Sequence, residues 1–230
     1  MIYHSEGVKM DGYTVERISY QEAKPWILQK HYAHKLPQVM YAVALVEAGV
    51  VVGVVSYGRP STPQPCKCCG QQYIGCVLEL NRLIVESDTR NAASFLIAGS
   101  FKLLPRPSIL VSYADPNQGH IGYIYQATNW LYTGLGGGSV ELYLNGDRLN
   151  ERTLDHKGIH SKEDKQAYVL ARGGKCYQAK PKHRYHYFLG TKSEKKDMRQ
   201  ALRYPVLPYP KGETKRYDAS AEFHKQVRMF

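Results

Sequence analysis

The sequence predicts an α/β (α+β) fold, with a mixed, mostly antiparallel sheet flanked by helices and a basic C-terminal extension. Three observations carry this. Strand-like and helix-like stretches alternate irregularly, and that mixed order implies a mixed sheet with helices on its faces. Two pairs of β-rich runs are separated by short turns of two and three residues, the arrangement of antiparallel hairpins. One short run, Ser108 to Ala114, is apolar along its length, as expected of a strand buried on both faces.

The elements follow in order. Tyr13 to Ile18 reads as a strand. Ser19 with Glu22 three residues later forms a capping box, opening a helix from Tyr20 to about His34 that Pro25 bends or shortens. Met40–Glu47 and Val50–Tyr57, joined by Ala48-Gly49, make the clearest hairpin. Residues 58–75 are a loop rich in Pro, Gly and Cys. A long strand runs from Cys76 to Val85, and a helix from about Asn91 to Leu104 buries Phe95, Leu96, Ala98, Leu103 and Leu104. After Ser108–Ala114 come a helix at His120–Thr128 and a strand at Asn129–Thr133. Val140–Leu144 and Arg148–Leu154 form a second hairpin around Asn145-Gly146. Signals then weaken: His183–Leu189 reads as a strand, Glu194–Leu202 as a short helix, and Tyr204–Pro210, with three prolines, as an extended arm. This divides the chain into a catalytic domain at 13–190 and a basic, Pro/Tyr-rich extension at 191–230.

Composition narrows the function. Hydrophobic residues at 43% and charged residues at 22% exclude a disordered chain. The net charge of +11 is concentrated at the end, where residues 180–230 hold 13 Lys or Arg against 5 Asp or Glu. A basic, aromatic-laced tail is the footprint of a polyanion binder. The 19 tyrosines suit a nucleic-acid cleft, or replace Phe in half-buried strands. No amphipathic stripe accompanies the basic tail, and the longest apolar run, Val50–Val55, is far too short to span a bilayer, so no membrane partner is expected. No apolar run occupies residues 1–12, so a cytoplasmic location with reduced or metal-bound cysteines is expected.

The element order is similar to that of the Gcn5-related acyltransferase superfamily. Ile124-Tyr125-Gln126-Ala127-Thr128-Asn129-Trp130 resembles the late helix that carries that superfamily's proton-donating tyrosine. Tyr125 takes that place: a phenol is neutral at pH 7 and can protonate a leaving thiolate or alkoxide. Its bland alternative is packing on the helix face. The superfamily's pyrophosphate loop corresponds to Arg90-Asn91-Ala92-Ala93-Ser94, where helix N-terminal amides can hold an anion, although the loop's usual glycines are absent.

A longer resemblance is to the phage Mom family. It rests on Ile18-Ser19-Tyr20-Gln21-Glu22-Ala23, His31-Tyr32, Glu79-Leu80-Asn81-Arg82-Leu83 and Asn91-Ala92-Ala93-Ser94-Phe95. It continues through Ser112-Tyr113-Ala114-Asp115, Tyr123-Ile124-Tyr125-Gln126-Ala127-Thr128-Asn129, Lys182-His183-Arg184-Tyr185, Tyr204-Pro205 and Tyr209-Pro210-Lys211-Gly212. The resemblance implies a phage- or prophage-encoded enzyme, acting in the host cytoplasm, that converts adenine in duplex DNA to N6-carbamoylmethyladenine and hides it from restriction. On this mapping the catalytic candidates are Asp115, Tyr125, His31, Tyr32 and Arg82. Asp115 would accept a proton from the adenine amine or orient it; alone, it reads as a turn-former before Pro116. His31 alone would complement a helix dipole. Arg82 would bind a phosphate or pair with Glu79 or Asp115. Donor-binding candidates are Arg90, Asn91, Ala92, Ser94 and Ser100. Nucleic-acid candidates are Lys182, His183, Arg184, Tyr185, Lys195 and Lys196.

The implied product joins nitrogen to a methylene, which ordinary acetyl transfer does not do. A glycyl donor resolves this: the glycyl group forms an amide, and its amine then displaces the amide nitrogen from the purine ring. Glycyl-tRNA is therefore one expected donor and partner, and acetyl-coenzyme A the other. Two further readings stand beside this one, an acetyl-coenzyme A-dependent acetyltransferase of a small molecule or protein, and a non-catalytic, zinc-stapled DNA-binding module. For zinc, Cys66-x-x-Cys69 offers one ligand turn, which Cys76 and His4 or His34 would complete; the other reading is a loop of free thiols.

Overall fold

The computed structural model describes residues 12–138 and 140–212; His4 and the extension beyond residue 212 lie outside the described residues. Seven strands form the main sheet: β1 (Tyr13–Ile18), β2 (Tyr41–Glu47), β3 (Val50–Gly58), β4 (Val77–Val85), β5 (Ser108–Ala114), β6 (Leu131–Leu135) and, much later, β10 (His183–Leu189). Their spatial order is β1-β2-β3-β4-β5-β10-β6. Every pairing is antiparallel except β4 with β5, so the sheet is mixed and mostly antiparallel, as expected.

Local chemistry explains the joins. The β2–β3 hairpin turns on Ala48 (φ 47°) and Gly49 (φ 81°), two left-handed residues whose twist matches the flanking strands. The faces of β2 then separate by strand periodicity: Val43 and Leu45 enter one core, Ala42 the other. Helix α3 (Ala92–Ser100) covers the first face through Leu96 and Ile97, and Gly99 lets it ride closely over Val15. Helix α4 (Tyr123–Ala127) joins the same core through Tyr125, beside the fully buried Trp130. The opposite face is covered by α1 (Tyr20–Pro25) with Ala23, by a π-helical turn (Trp26–Lys30) with Ile27, and by α7 (Lys192–Gln200) with Met198. Residues from 191 onward therefore open on a helix anchored in the core.

Several expectations are corrected. The first helix stops at Lys30, and His31 is extended. Pro25 cannot donate a backbone hydrogen bond, and the register widens to the π-turn directly after it. The helix expected at His120–Thr128 begins only at Tyr123, because Gly119 and Gly122 take left-handed conformations. At Gly122 a side chain would overlap the Tyr185 ring. Residues 58–75 hold a short helix, α2 (Pro63–Cys66), and lead into a 3₁₀ segment (Gln71–Cys76). In the second hairpin only Asp147–Arg148 (β8) pairs with β7 (Val140–Leu144). Asn150 then accepts from the Arg152 N–H and starts helix α5 (Glu151–Asp155).

Beyond Leu154, where the sequence is weak, α6 (Lys162–Leu170) and β9 (Lys175–Gln178) complete a three-stranded sheet, β8-β7-β9, around Leu142, Leu154 and Val169. This unit is inserted between β6 and β10. Among the described residues no helix is long and apolar enough to cross a membrane.

Candidate active site

The site arises where the sheet opens. Val77, Leu78 and Glu79 of β4 pair with Ile109, Leu110 and Val111 of β5, and there the ladder ends. At the point of separation the Ser112 hydroxyl lies 2.9 Å from the Leu80 carbonyl oxygen and 2.7 Å from the Tyr125 hydroxyl. Serine has one proton to give and a carbonyl can only accept. Ser112 therefore donates to Leu80, and Tyr125 donates to Ser112. A side chain here replaces a lost backbone rung and orients the tyrosine.

A cleft of about 650 Å³ fills the gap. Its walls are Leu80–Leu83 of β4, Tyr113–Asp115 at the end of β5, residues 87–94 leading into α3, His31-Tyr32, and residues 119–125 around the start of α4. It sits beyond the carboxyl end of β5, where ligands of open α/β sheets are commonly found. His31, Tyr32, Arg82, Asp115 and Tyr125 all line it, as do Arg90, Asn91, Ala92 and Ser94. Ser100 does not. It is buried, with its hydroxyl 2.6 Å from the Tyr57 hydroxyl and 2.7 Å from the Ile97 carbonyl, so its donor-binding role is withdrawn.

The cleft side chains are fixed by identifiable partners. Asp115 accepts from the Asn117 N–H through Oδ1 at 2.9 Å, and its Oδ2 pairs with Lys182 Nζ, also at 2.9 Å. His31 Nδ1 accepts from the Ala33 N–H at 3.1 Å, so the neutral ring carries its proton on Nε2 as a donor. Burial, helped by the Arg82 charge, holds the His31 pKa down to about 3. The ring lies tilted by 30° against Tyr32, with 4.3 Å between centroids. Burial raises the pKa of both Tyr32 and Tyr125, keeping each a protonated phenol at neutral pH. Tyr125 also packs on Trp130 and Tyr185, with centroids 5.2 and 5.1 Å away.

Arg82 forms no ion pair with Glu79 or Asp115, contrary to one expectation. Its terminal nitrogens donate to the Asn81 carbonyl at 2.6 Å and the Lys35 carbonyl at 2.8 Å, while Nε is buried without a partner. It therefore braces the segment after His31. Asn91, at the start of α3, takes a left-handed conformation (φ 69°) that glycine supplies most cheaply.

The nucleic-acid candidates divide. Lys195 and Lys196 are exposed on α7. Lys182 belongs to the cleft through Asp115. Tyr185 is fully buried and donates to the Ile121 carbonyl, so it is a core residue. His183 Nδ1 meets the Tyr132 hydroxyl at 3.0 Å. Arg184 donates to Thr133 Oγ1 and to the Thr133 carbonyl, and stacks 3.5 Å over the Tyr204 ring. Its guanidinium is spent inside the fold.

All five cysteines are free thiols, and among the described residues no group of three or more His, Cys, Asp or Glu gathers to hold a metal. Cys66, Cys69 and Cys76 thus do not gather with His34 into a ligand set, and His4 lies outside the described residues. Cys69 and Cys68 instead enter an apolar cluster with Val77, Ile109, Phe188 and Met198. There the Cys69 thiol and His186 hold Cys68 below the usual thiol pKa, while the pairing and burial push Cys69 above it.

Sequence reasoning gave no role to several cleft residues. Asn81, His120 and the 61%-exposed Tyr123 line it. Asn81 and Tyr123 stand within quoted motifs, but only the opening of the ladder reveals that they face a cavity. His120 had no signal.

A family profile described as the Mom protein family matches residues 12–211. The methylcarbamoylase Mom of Escherichia phage Mu is 27% identical over 215 residues, covering 86% of this chain and 83% of that protein. Among solved structures, the chain is similar to a putative acetyltransferase, yncA, from Salmonella typhimurium with its cofactor acetyl-CoA, at 7% identity and TM-score 0.44, covering 80% of this chain and 98% of that one. It is also similar to ribosomal-protein-S5-alanine acetyltransferase from Vibrio fischeri, at 9% identity and TM-score 0.43, covering 81% and 98%.

Proposed function

The chain belongs to the Mom protein family, and we propose that it is a transferase that converts adenine in duplex DNA to N6-carbamoylmethyladenine, shielding phage DNA from restriction. The observation that carries this reading is the joining, in one cleft, of a carboxylate fixed by Lys182 and a buried phenol oriented by Ser112. A nucleophilic amine and a departing group need those two functions on opposite sides of a reacting carbonyl. The related phage Mu protein is itself described as a methylcarbamoylase.

In this reading the target adenine leaves the base stack and enters the cleft. Asp115 accepts a hydrogen bond from the exocyclic amine and takes its proton as that nitrogen attacks the glycyl carbonyl. The Tyr125 hydroxyl turns from Ser112 and gives its proton to the departing ribose oxygen of a glycyl-tRNA ester. The first product is an N6-glycyl amide. The glycyl amine then attacks C6 through a five-membered spiro intermediate, and the bond from C6 to the original nitrogen breaks. The glycine nitrogen ends on the ring and adenine's original nitrogen becomes the terminal amide. No atom beyond adenine and glycine enters the product. The left-handed Asn91 is the observation that favours a second donor, acetyl-coenzyme A, whose pyrophosphate would meet the start of α3.

Mass spectrometry of nucleosides tests function and donor together. Cells expressing the protein are fed glycine labelled at both carbons and at nitrogen, and the side chain of the modified adenine is fragmented away from the ring. Carbamoylmethyladenine carrying both labelled carbons, with the labelled nitrogen on the ring, is expected. A normal adenine profile from well-expressed protein would overturn the function. Carbons derived from acetyl-coenzyme A in a purified reaction would overturn only the glycyl route.

A further inference from the structure

The segment between His31 and β2 has no regular secondary structure beyond turns and borders the cleft. It is nevertheless held at many points. Lys35 O accepts from Arg82 Nη2 at 2.8 Å, and Gln38 O accepts from Asn81 Nδ2 at 3.0 Å. Asn81 is itself fixed by the Ser56 hydroxyl at 2.7 Å. The His34 ring meets the Leu28 carbonyl at 2.9 Å, and the Met40 N–H donates to Tyr57 O at 2.8 Å. The approach to β3 is so close that a side chain at Gly58 would overlap the Gln38 carbonyl. Arg82 and Asn81, both cleft residues, thus each give one donor, Nη2 and Nδ2, to positioning this loop.

What the loop presents is apolar. Leu36 is 38% exposed and Met40 46%, with Pro37 stiffening the backbone next to Leu36 and the exposed His34 and Lys35 just before it. A scattered surface leucine needs no explanation. A leucine on a loop braced from the cleft wall, beside the cationic Lys35, fits a particular task. A base drawn out of a duplex leaves a gap in the stack, and DNA-bending and base-flipping proteins fill such gaps with apolar wedges while cations hold the flanking phosphates.

We propose that Leu36 is the wedge that enters the duplex as the target adenine swings into the cleft, with Lys35 on the neighbouring backbone and Met40 widening the apolar contact. The proposal rests on the DNA-modifying reading above. Leu36 touches no reacting atom. It is a positioning residue, which holds open the gap and so raises the fraction of adenine presented to Asp115.

Two measurements on the full-length protein separate this proposal from that reading. The first needs no donor. Duplexes carrying 2-aminopurine in place of adenine, in each nearest-neighbour context, are titrated with protein. Unstacking raises the fluorescence, and a rise is expected for the unaltered protein and its loss for Leu36→Ala at equal occupancy. The second compares modification of an adenine paired with thymine against the same adenine opposite an abasic site, where little unstacking is required. Leu36→Ala should lower the paired-to-unpaired rate ratio by at least about tenfold, and Leu36→Met should restore it. Equal loss on both substrates, an unchanged ratio, or no fluorescence rise with unaltered protein would each overturn the wedge. Fluorescence that rises with unaltered protein and is lost in Leu36→Ala, without modification of either substrate, would support the wedge and overturn the adenine chemistry.

Discussion

Asp115 uses its two oxygens differently. Oδ1 accepts from the Asn117 N–H and caps the turn after β5, and Oδ2 meets Lys182. Oδ1 thus makes the turn that the sequence suggests, and Oδ2 leaves the carboxylate's charge beside Lys182 in the cleft. An Asp115→Asn substitution keeps the cap and removes the charge. Activity should fall about 100- to 10,000-fold with the melting temperature nearly unchanged, and Tyr125→Phe should behave alike because Ser112 still reaches Leu80. Near-normal activity in both variants would make these residues packing elements. His31 gives a pH prediction of definite sign. Its folded pKa is held to about 3 whereas an unfolded chain protonates near 6.5, so the unfolded state binds the extra proton between these values. Its contribution to stability is whole above about pH 6.5 and is lost as the pH falls towards 3. Replacing it with Asn, whose Oδ1 can accept from the Ala33 N–H, should flatten the acid limb of a stability–pH curve; an unchanged limb would show that the ring protonates freely.

At the scale of elements, legibility followed periodicity and turn chemistry. The β2–β3 hairpin, β5 and the body of α3 could be read because each buries a regular set of apolar residues or turns on a dipeptide that tolerates positive φ. α6 could not, because Lys162–Leu170 opens on five polar residues and buries little beyond Val169 and the stem of Lys165, which pairs with Asp155 at 2.8 Å. The abrupt end of the β4–β5 ladder was equally invisible: β4 runs on as a strand through Leu80-Asn81-Arg82-Leu83 and β5 through Ser112-Tyr113-Ala114, and only their pairing shows where the cleft opens. α7 is legible as a helix but not as a core element, since Met198 is a single apolar residue among charged ones. Because that side chain is fully buried between Val77, Ile109 and Phe188, Met198→Ala should cost about 2–5 kcal/mol in denaturant unfolding. A cost near zero would mean that α7 rests on the sheet without sealing it.

Across the whole molecule, the uneven charge was plain from composition, but its placement required the fold. Arg184 and Lys182 stood out in sequence as basic residues beside aromatics, yet one is tied to Thr133 and Tyr204 and the other to Asp115. Among the described residues, a cluster of exposed charge able to meet a polyanion stands on α7, where Lys192, Lys195, Lys196 and Arg199 all face solvent. Their spacing of three, four and seven residues places them along one stripe of the helix. The buried Met198 fixes that helix on the sheet and leaves the stripe pointing outward, a ridge suited to tracking phosphates without reading bases. Changing all four to Gln should weaken binding to every DNA sequence alike. The slope of log affinity against log salt should become shallower by up to about 0.9 for each duplex phosphate that is no longer neutralised. Arg184→Gln serves as the contrasting variant. It should lower stability, because the guanidinium holds β6 to β10, while leaving the salt slope where it was. If the slope stays unchanged in the fourfold variant, the stripe is a solvated face and the DNA backbone is gripped elsewhere. If it falls in Arg184→Gln instead, the Arg184 stack on Tyr204 opens on binding, and the half-buried charge tied up in this structure is the one that meets the DNA.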